Sequence, residues 1–285
     1  MCQIVILKGK TMITQEICKS IRLLVKGEKP DCDISDFLYQ NGGEYLLYKS
    51  NDQKYSHCLC QVATKNADLI REQVRLFRRF LEEPPIQYVI LNESVLSYSV
   101  YGKVFNTVPQ QELILFIRSE DLLCLKEWMA NNYYVETSYA QSDIVTYTQK
   151  FSSELCPCLS IKIISFLPFA IEPPFIDSSV IWQHICKKEY FGVAVNRIDS
   201  VTEFILLCKY CFRLLKSTDD ESNLLQYFDK LSDMYFYLIN CKPNKERLAI
   251  LSKRLQTNTC LYHCINLVDK IFDDQAIRDY RNIFG

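Results

Sequence analysis

Glycine and histidine are both scarce in this chain of 285 residues, and each shortage argues against a class of functional site. Only seven glycines occur, and they form no GxGxxG motif, Walker-type loop or other glycine-rich phosphate cradle. Only three histidines occur, and no Gly-x-Ser-x-Gly or Cys-His signature accompanies them. An unrelated hydrolase or thiol enzyme is therefore the least favoured function.

A large net charge is missing as well. The chain has 33 Lys and Arg against 34 Asp and Glu, which gives 33 − 34 = −1. Proteins that hold a long nucleic-acid backbone need clustered positive charge, so this balance argues against such a partner. No window approaches eighteen uncharged apolar residues, and the sequence therefore predicts neither a transmembrane helix nor a membrane partner.

Cysteine is plentiful, with fourteen in the chain, but the pattern does not favour disulfides. Lys8, Lys10 and Glu16 interrupt the N-terminal apolar run, so we expect no signal peptide, a cytoplasmic location and reduced thiols. The nearest approach to a metal site is His263 with Cys260 and Cys264 on one predicted helix. Because no second pair has zinc-ribbon spacing, small buried apolar side chains are the favoured interpretation.

The order of predicted elements is helices, a mixed centre, then helices. Apolar periodicity predicts helices over 11–28 and 33–49, the second broken by Gly42-Gly43, and over 58–82, ended by Pro84-Pro85. The central part of the sequence predicts strands at 86–91 and 112–117, helices at 93–102 and 119–131, and three strand-like runs between 133 and 167. The fold class is therefore α/β (α+β), divided into an N-terminal helical region 1–83, a core 84–175 and a C-terminal helical region 176–285.

Residues 88–116, YVILNESVLSYSVYGKVFNTVPQQELILF, carry a resemblance to a known family. The first strand ends at Leu91-Asn92-Glu93, the helix keeps Leu96 and Tyr101, and the second strand begins at Glu112. Later segments at 198–207 and 233–236 fit the same order. The chain resembles the bacterial family labelled "uncharacterised nucleotidyltransferase", which implies a mixed sheet flanked by helices.

The resemblance also implies a metal site, and this chain departs from it. Nucleotidyl transfer uses two Mg²⁺ ions held by carboxylates, two of them at i and i+2 on one strand. Glu112 occupies the first acid position, Ile114 the second, and Lys162 the third, on a neighbouring strand. A protonated lysine repels Mg²⁺, so Glu112 is a vestigial catalytic residue, and Glu93 is the remaining candidate to share a metal with it.

The implied nucleotide-binding turn is altered too. Its Lys-Gly is replaced by Asn92-Glu93, followed by Ser94, and a carboxylate there repels a triphosphate. The loop arginine is replaced within 106–109, Asn-Thr-Val-Pro.

Two functions remain open. One is a degenerate nucleotidyltransferase, a pseudoenzyme that acts as an accessory or interaction protein with a protein or peptide partner and no cofactor. The alternative is an active Mg-dependent nucleotidyltransferase that transfers a nucleotide from an NTP to an unknown acceptor, with Glu93 and Glu112 converging on one metal.

Overall fold

The structure, a computed structural model, describes residues 6–7, 10–11, 15–105, 112–137, 144–165, 167, 176–216 and 227–284. Within these ranges the helices, numbered along the chain, are α1 Gln15–Val25, α2 Ser35–Gln40, α3 Glu44–Lys49, α4 Ser56–Leu76, α5 Arg78–Glu82, α6 Glu93–Tyr101, α7 Leu122–Asn131, α8 Ser178–Gln183, α9 Ser200–Lys216, α10 Phe228–Phe236, α11 Lys245–Arg254, α12 Asn258–Phe272 and α13 Gln275–Arg281. The strands are β1 Ile6–Leu7, β2 Lys10–Thr11, β3 Tyr88–Ile90, β4 Glu112–Ile117, β5 Val135–Glu136, β6 Ile144–Lys150, β7 Cys158–Ile164, β8 Ile185–Tyr190 and β9 Val193–Ile198.

The central element is a mixed sheet of five described strands, in the order β3-β4-β7-β6-β5. Among these described strands only the β4–β7 pair is parallel, and its register places Glu112 beside Ser160 and Ile114 beside Lys162. The neighbouring pairs β3–β4, β7–β6 and β6–β5 are antiparallel. A mixed α/β fold with a sheet flanked by helices is thus confirmed.

The described residues divide into two compact units. One contains residues up to 61 together with those from 200 onward, and the other contains 62–199. The boundaries fall inside α4 and directly before α9. The division at 83 and 175 drawn from the sequence follows the order of helices and strands instead, and it stays a prediction.

The unit 62–199 is built around the central sheet. Leu113, Leu115 and Ile117 of β4 are buried, as are Leu125 and Met129 of α7. They belong to one apolar cluster that also takes in the buried faces of α4 and α5. The stacked rings of Phe77 and Phe80, 4.7 Å apart, lie in this cluster. The helices that the sequence predicted at 58–82 and 119–131 therefore pack their apolar side chains against the sheet.

In the unit formed by residues up to 61 and from 200 onward, the described secondary structure beyond β1 and β2 is helical. Between α2 and α3, Gly42 has φ +79°, and a Cβ there would lie 2.3 Å from that of Asp229. This glycine pair breaks the 33–49 segment as the sequence predicted. Tyr235 and Phe272 stack at 4.1 Å between α10 and α12, and Arg22 of α1 donates to the carbonyl of Ile271 at 3.0 Å.

One part of the sequence-based interpretation is wrong. Residues 185–198, placed in the C-terminal helical region, form the antiparallel β8–β9 hairpin. Phe191 and Gly192 make its two-residue turn with φ of +50° and +83°, the positive values that type I′ turns require. Along β9 the buried and more exposed residues alternate at first, as a strand packed on one face does.

Candidate functional site

Asn92, at the turn between β3 and α6, forms side-chain hydrogen bonds with the start of β4. Its side chain is 3% exposed. The carboxamide nitrogen donates to the carbonyl of Glu112 at 2.6 Å, and the carboxamide oxygen accepts from the amide of Ile114 at 2.7 Å. Leu91 continues the strand pairing through its amide to the carbonyl of Ile114, at 2.9 Å. The Asn92 side chain therefore extends the β3–β4 pairing by one residue and holds the turn closed against β4.

Ser94, in the first turn of α6, forms a hydrogen bond inside the protein. Its hydroxyl oxygen lies 2.9 Å from the hydroxyl of Tyr190 at the end of β8, and both residues are buried. Burial raises the pKa of Tyr190 well above its usual value, so the phenol stays protonated and can act as the donor. The hydroxyl of Ser94, a residue of the nucleotide-binding turn that the resemblance implies, is thus paired with a tyrosine inside the protein.

The two candidate metal ligands differ in exposure. Glu93 is exposed on the first turn of α6, whereas Glu112 is half-buried at the start of β4. Ser160 of β7 donates its hydroxyl to the Glu112 carboxylate at 3.4 Å. The structure therefore joins Asn92 to Glu112 directly and places Ser94 in the adjacent helical turn, while the surroundings of the Glu112 carboxylate include a hydroxyl from β7.

The donor set does not fit a two-magnesium site. Among the described residues no group of three or more His, Cys, Asp and Glu side chains is arranged to hold a metal ion. The register gives Ile114 and Lys162 as neighbours across β4 and β7, so an apolar and a basic side chain occupy the implied acid positions. Residues 106–109, where the resemblance implies a loop arginine, lie outside the described residues.

Three residues around the turn were missed by the sequence reasoning. Tyr190 and Arg197 lie on the hairpin that had been interpreted as helix, and Ser160 lies two residues before Lys162. Arg197 is buried and donates to the hydroxyl of Ser99 on α6. The alternation of β9 and the glycine at 192 were the sequence signals for the hairpin.

The cysteine pair beside His263 is part of the core of α9 and α12. Cys260 and Cys264 are buried, and both thiols donate to the carbonyl of Cys208, at 3.4 and 3.3 Å. His263 is exposed and meets the ring of Phe212 edge-on, at 5.5 Å between centroids. Burial of these two cysteines, the favoured interpretation, is confirmed.

No family model matches the sequence, and no curated protein matches it. Two solved structures are similar at low identity. The crystal structure of the lincosamide antibiotic adenylyltransferase LnuA with lincomycin bound is 10% identical, covers 59% of this chain and 95% of its own, and has a TM-score of 0.32. An antigenic nucleotidyltransferase-like protein from Paracoccidioides brasiliensis is 8% identical, covers 75% and 99%, and has a TM-score of 0.36. At such TM-scores neither likeness supports a conclusion about this chain. None of the described helices is long and apolar enough to cross a membrane.

Proposed function

We propose that the chain is a nucleotidyltransferase-fold protein that has lost nucleotidyl transfer and works as an accessory or interaction protein. The resemblance over residues 88–116 supports the fold, together with the placement of Glu112, Ile114 and Lys162 on adjacent strands. The observation that carries the proposal is the register of β4 with β7. It gives the implied metal site one carboxylate, one apolar side chain and one lysine, and Mg²⁺ needs oxygen ligands.

The contacts of the turn support the loss of nucleotide binding. Phosphate cradles work by offering unpaired donors to phosphate oxygens. Here the Asn92 amide donates to the backbone of β4, and the Ser94 hydroxyl is paired with Tyr190. Glu93, exposed beside them, adds a negative charge that repels a triphosphate.

Exposed apolar side chains support an interaction role. Leu123 on α7, Tyr133 after it and Val135 on β5 are 69%, 83% and 63% exposed. Among the described strands of the sheet, β5 is at one edge and pairs only with β6. Exposed apolar groups next to a strand edge are features that protein or peptide partners use.

The competing function is an active Mg-dependent nucleotidyltransferase with Glu93 and Glu112 sharing one metal. A measurement of nucleotide binding distinguishes the active enzyme from the proposed accessory protein. We expect ATP, GTP, CTP and UTP, each with and without Mg²⁺, to leave the melting temperature unchanged. A ligand that binds the native state raises the melting temperature by mass action.

A control variant sharpens this experiment. Glu93→Gln removes the charge that repels phosphate and leaves the Asn92 and Ser94 contacts in place. The proposal expects this variant to remain unresponsive to all four nucleotides. A Mg²⁺-dependent rise in the melting temperature of the unaltered protein, abolished by Glu112→Gln, would favour the active enzyme instead.

A further inference from the structure

A cavity lies at the other end of β4 from Glu112. Its volume is about 460 Å³, and its lining includes Phe116, Arg118, Ser119, Ser165, Ser178 and Trp182. The ends of β4 are about 17 Å apart at a strand rise of about 3.3 Å per residue, so this cavity is separate from the vestigial turn. Ligand pockets commonly have volumes of about 300–1,000 Å³.

The cavity lies where the parallel strands β4 and β7 end. Arg118 and Ser119 follow the last residue of β4, and Ser165 follows the last residue of β7. Because parallel strands present their carboxyl ends at the same sheet edge, the residues that follow them converge there. In open α/β sheets this edge is where ligands bind.

Arg118 is held in place by aromatic rings. Its guanidinium carbon lies 5.1 Å from the centroid of the Trp182 ring. Trp182 in turn stacks on the buried ring of Phe116, with centroids 5.0 Å apart and planes 14° apart. A cation over a tryptophan face is attracted by the ring quadrupole, so this contact favours a guanidinium positioned at the cavity wall.

The positive charge of Arg118 is only weakly compensated by the described residues around it. Its Nε is buried and has no hydrogen-bond partner among the described residues. Among the described residues the Glu120 carboxylate forms an ion pair with Arg118, but its Oε1 is 3.8 Å from Nη1, too far for a hydrogen bond, and the Glu120 side chain is 73% exposed. Such an exposed pair contributes little to stability because solvent screens it.

Asp177 is the second acid in the described part of the cavity lining, and its carboxylate is already hydrogen-bonded. It caps α8 by accepting from the amide of Ser179 at 2.9 Å. The remaining polar groups of the lining include the hydroxyls of Ser119, Ser165 and Ser178, all neutral donors. Arg118 keeps 41% of its side chain exposed, and the described lining therefore combines an accessible guanidinium with several hydroxyls.

We propose that this cavity binds a small organic anion whose carboxylate or phosphate group pairs with Arg118 and accepts hydrogen bonds from the serine hydroxyls. A guanidinium presents parallel N–H donors that match both oxyanions and form charge-assisted hydrogen bonds. An entering anion takes the place of the exposed Glu120 carboxylate beside Nη1. The proposal does not depend on the loss of nucleotidyl transfer, because it involves none of the residues of the turn.

Tryptophan fluorescence tests the proposal directly. The chain has two tryptophans, and Trp128→Phe leaves Trp182 as the only one. Inorganic phosphate, glycerol 3-phosphate and citrate are titrated into this variant at constant ionic strength, with glycerol as the neutral control. We expect a saturable change in Trp182 emission in the millimolar range with at least one anion and none with glycerol. A response to citrate alone assigns a carboxylate ligand, and a response to the phosphates alone assigns a phosphate ester.

Arg118 variants decide whether the signal comes from this site. Arg118→Gln in the same background should weaken binding by roughly tenfold or more, since about 1.4 kcal/mol corresponds to tenfold. Arg118→Lys keeps the charge but loses the planar donors, and it should bind more weakly than the Arg118 protein even if the glutamine variant fails to fold. Arg78→Gln removes an exposed arginine paired with Glu82 at 2.9 Å and should leave the titration unchanged. No saturable response to any anion, or a response that persists undiminished in Arg118→Gln and Arg118→Lys, overturns the proposal.

Discussion

At the scale of single residues, Asn92 has a structural role in the turn where the resemblance implies nucleotide binding. Its carboxamide makes two hydrogen bonds to β4, at 2.6 and 2.7 Å, from a buried position. Asn92→Ala leaves a carbonyl and an amide of β4 without these partners. We expect a loss of about 2–4 kcal/mol in the free energy of unfolding. Urea denaturation measures it, with the exposed Asn131→Ala as the matched control. Equal midpoints for the two variants would contradict the structural role of Asn92.

Tyr88 provides a prediction about pH. It is fully buried, its hydroxyl donates to the carbonyl of Leu81 at 2.9 Å, and burial raises the pKa of Tyr88 to about 12. The unfolded value is about 10. The protonated phenol therefore stabilises the native state fully below pH 10, and this contribution declines as pH rises through about 12, by roughly 3 kcal/mol in all.

Comparison of Tyr88→Phe with the unaltered protein isolates this effect. The phenylalanine variant has no ionisable group at this position, so its free energy of unfolding should fall less steeply between pH 10 and pH 12. Tyr262→Phe, at an exposed position, is the control and should keep the steep slope. Parallel pH profiles for Tyr88→Phe and the unaltered protein would show that Tyr88 does not titrate as proposed.

At the scale of elements, the β8–β9 hairpin depends on its turn. Gly192 has φ +83°, and no atom lies within 4 Å of a Cβ added there, so a substitution meets backbone strain but no steric clash. Gly192→Ala should lower the free energy of unfolding by about 1–2 kcal/mol, the cost of a left-handed conformation for a residue with a Cβ. Gly192→Asn should cost less, because asparagine tolerates this region. Urea midpoints in the order glycine, asparagine, alanine are expected, and any other order contradicts the assigned turn.

The same elements show what the sequence could and could not predict. Glu112–Ile117 was predicted with correct bounds because Leu113–Ile117 form a short continuous apolar run, as in a buried strand. The hairpin at 185–198 was missed because Phe191 occupies a turn position where asparagine, aspartate or glycine is usual. The contacts of Asn92 with β4 and of Ser94 with Tyr190 join residues 20 and 96 positions apart, and local patterns carry no information about such pairs.

At the scale of the whole molecule, the cysteines should not stabilise the fold by crosslinks. None of the thirteen described cysteines is in a disulfide. Dithiothreitol should therefore leave the melting temperature unchanged. A short iodoacetamide pulse followed by peptide mass spectrometry should label the exposed group before the buried one. The exposed group is Cys58, Cys60, Cys124 and Cys158, and the buried group is Cys156, Cys208, Cys211, Cys260 and Cys264.

The buried thiols have a second reason to react slowly. Burial raises the pKa of Cys208, and hydrogen bonds with neighbouring thiols together with burial raise that of Cys264. The thiolate is the reactive form, so both should be labelled only when the protein unfolds. Rapid labelling of Cys208 or Cys264 in the native protein would contradict the packing of α9 against α12.

The central claim is the absence of nucleotidyl transfer, and a transfer assay tests it most directly. The protein is incubated with labelled ATP, GTP, CTP or UTP, with Mg²⁺ or Mn²⁺, and with protein, peptide and small-molecule acceptors, including itself. With one carboxylate at the implied site and a turn bonded internally, we predict no label transfer. Deleting a single electrostatic donor commonly costs about 100- to 1,000-fold in rate, and several are missing here. Label transfer that disappears in Glu112→Gln would contradict the account and establish the protein as an active nucleotidyltransferase.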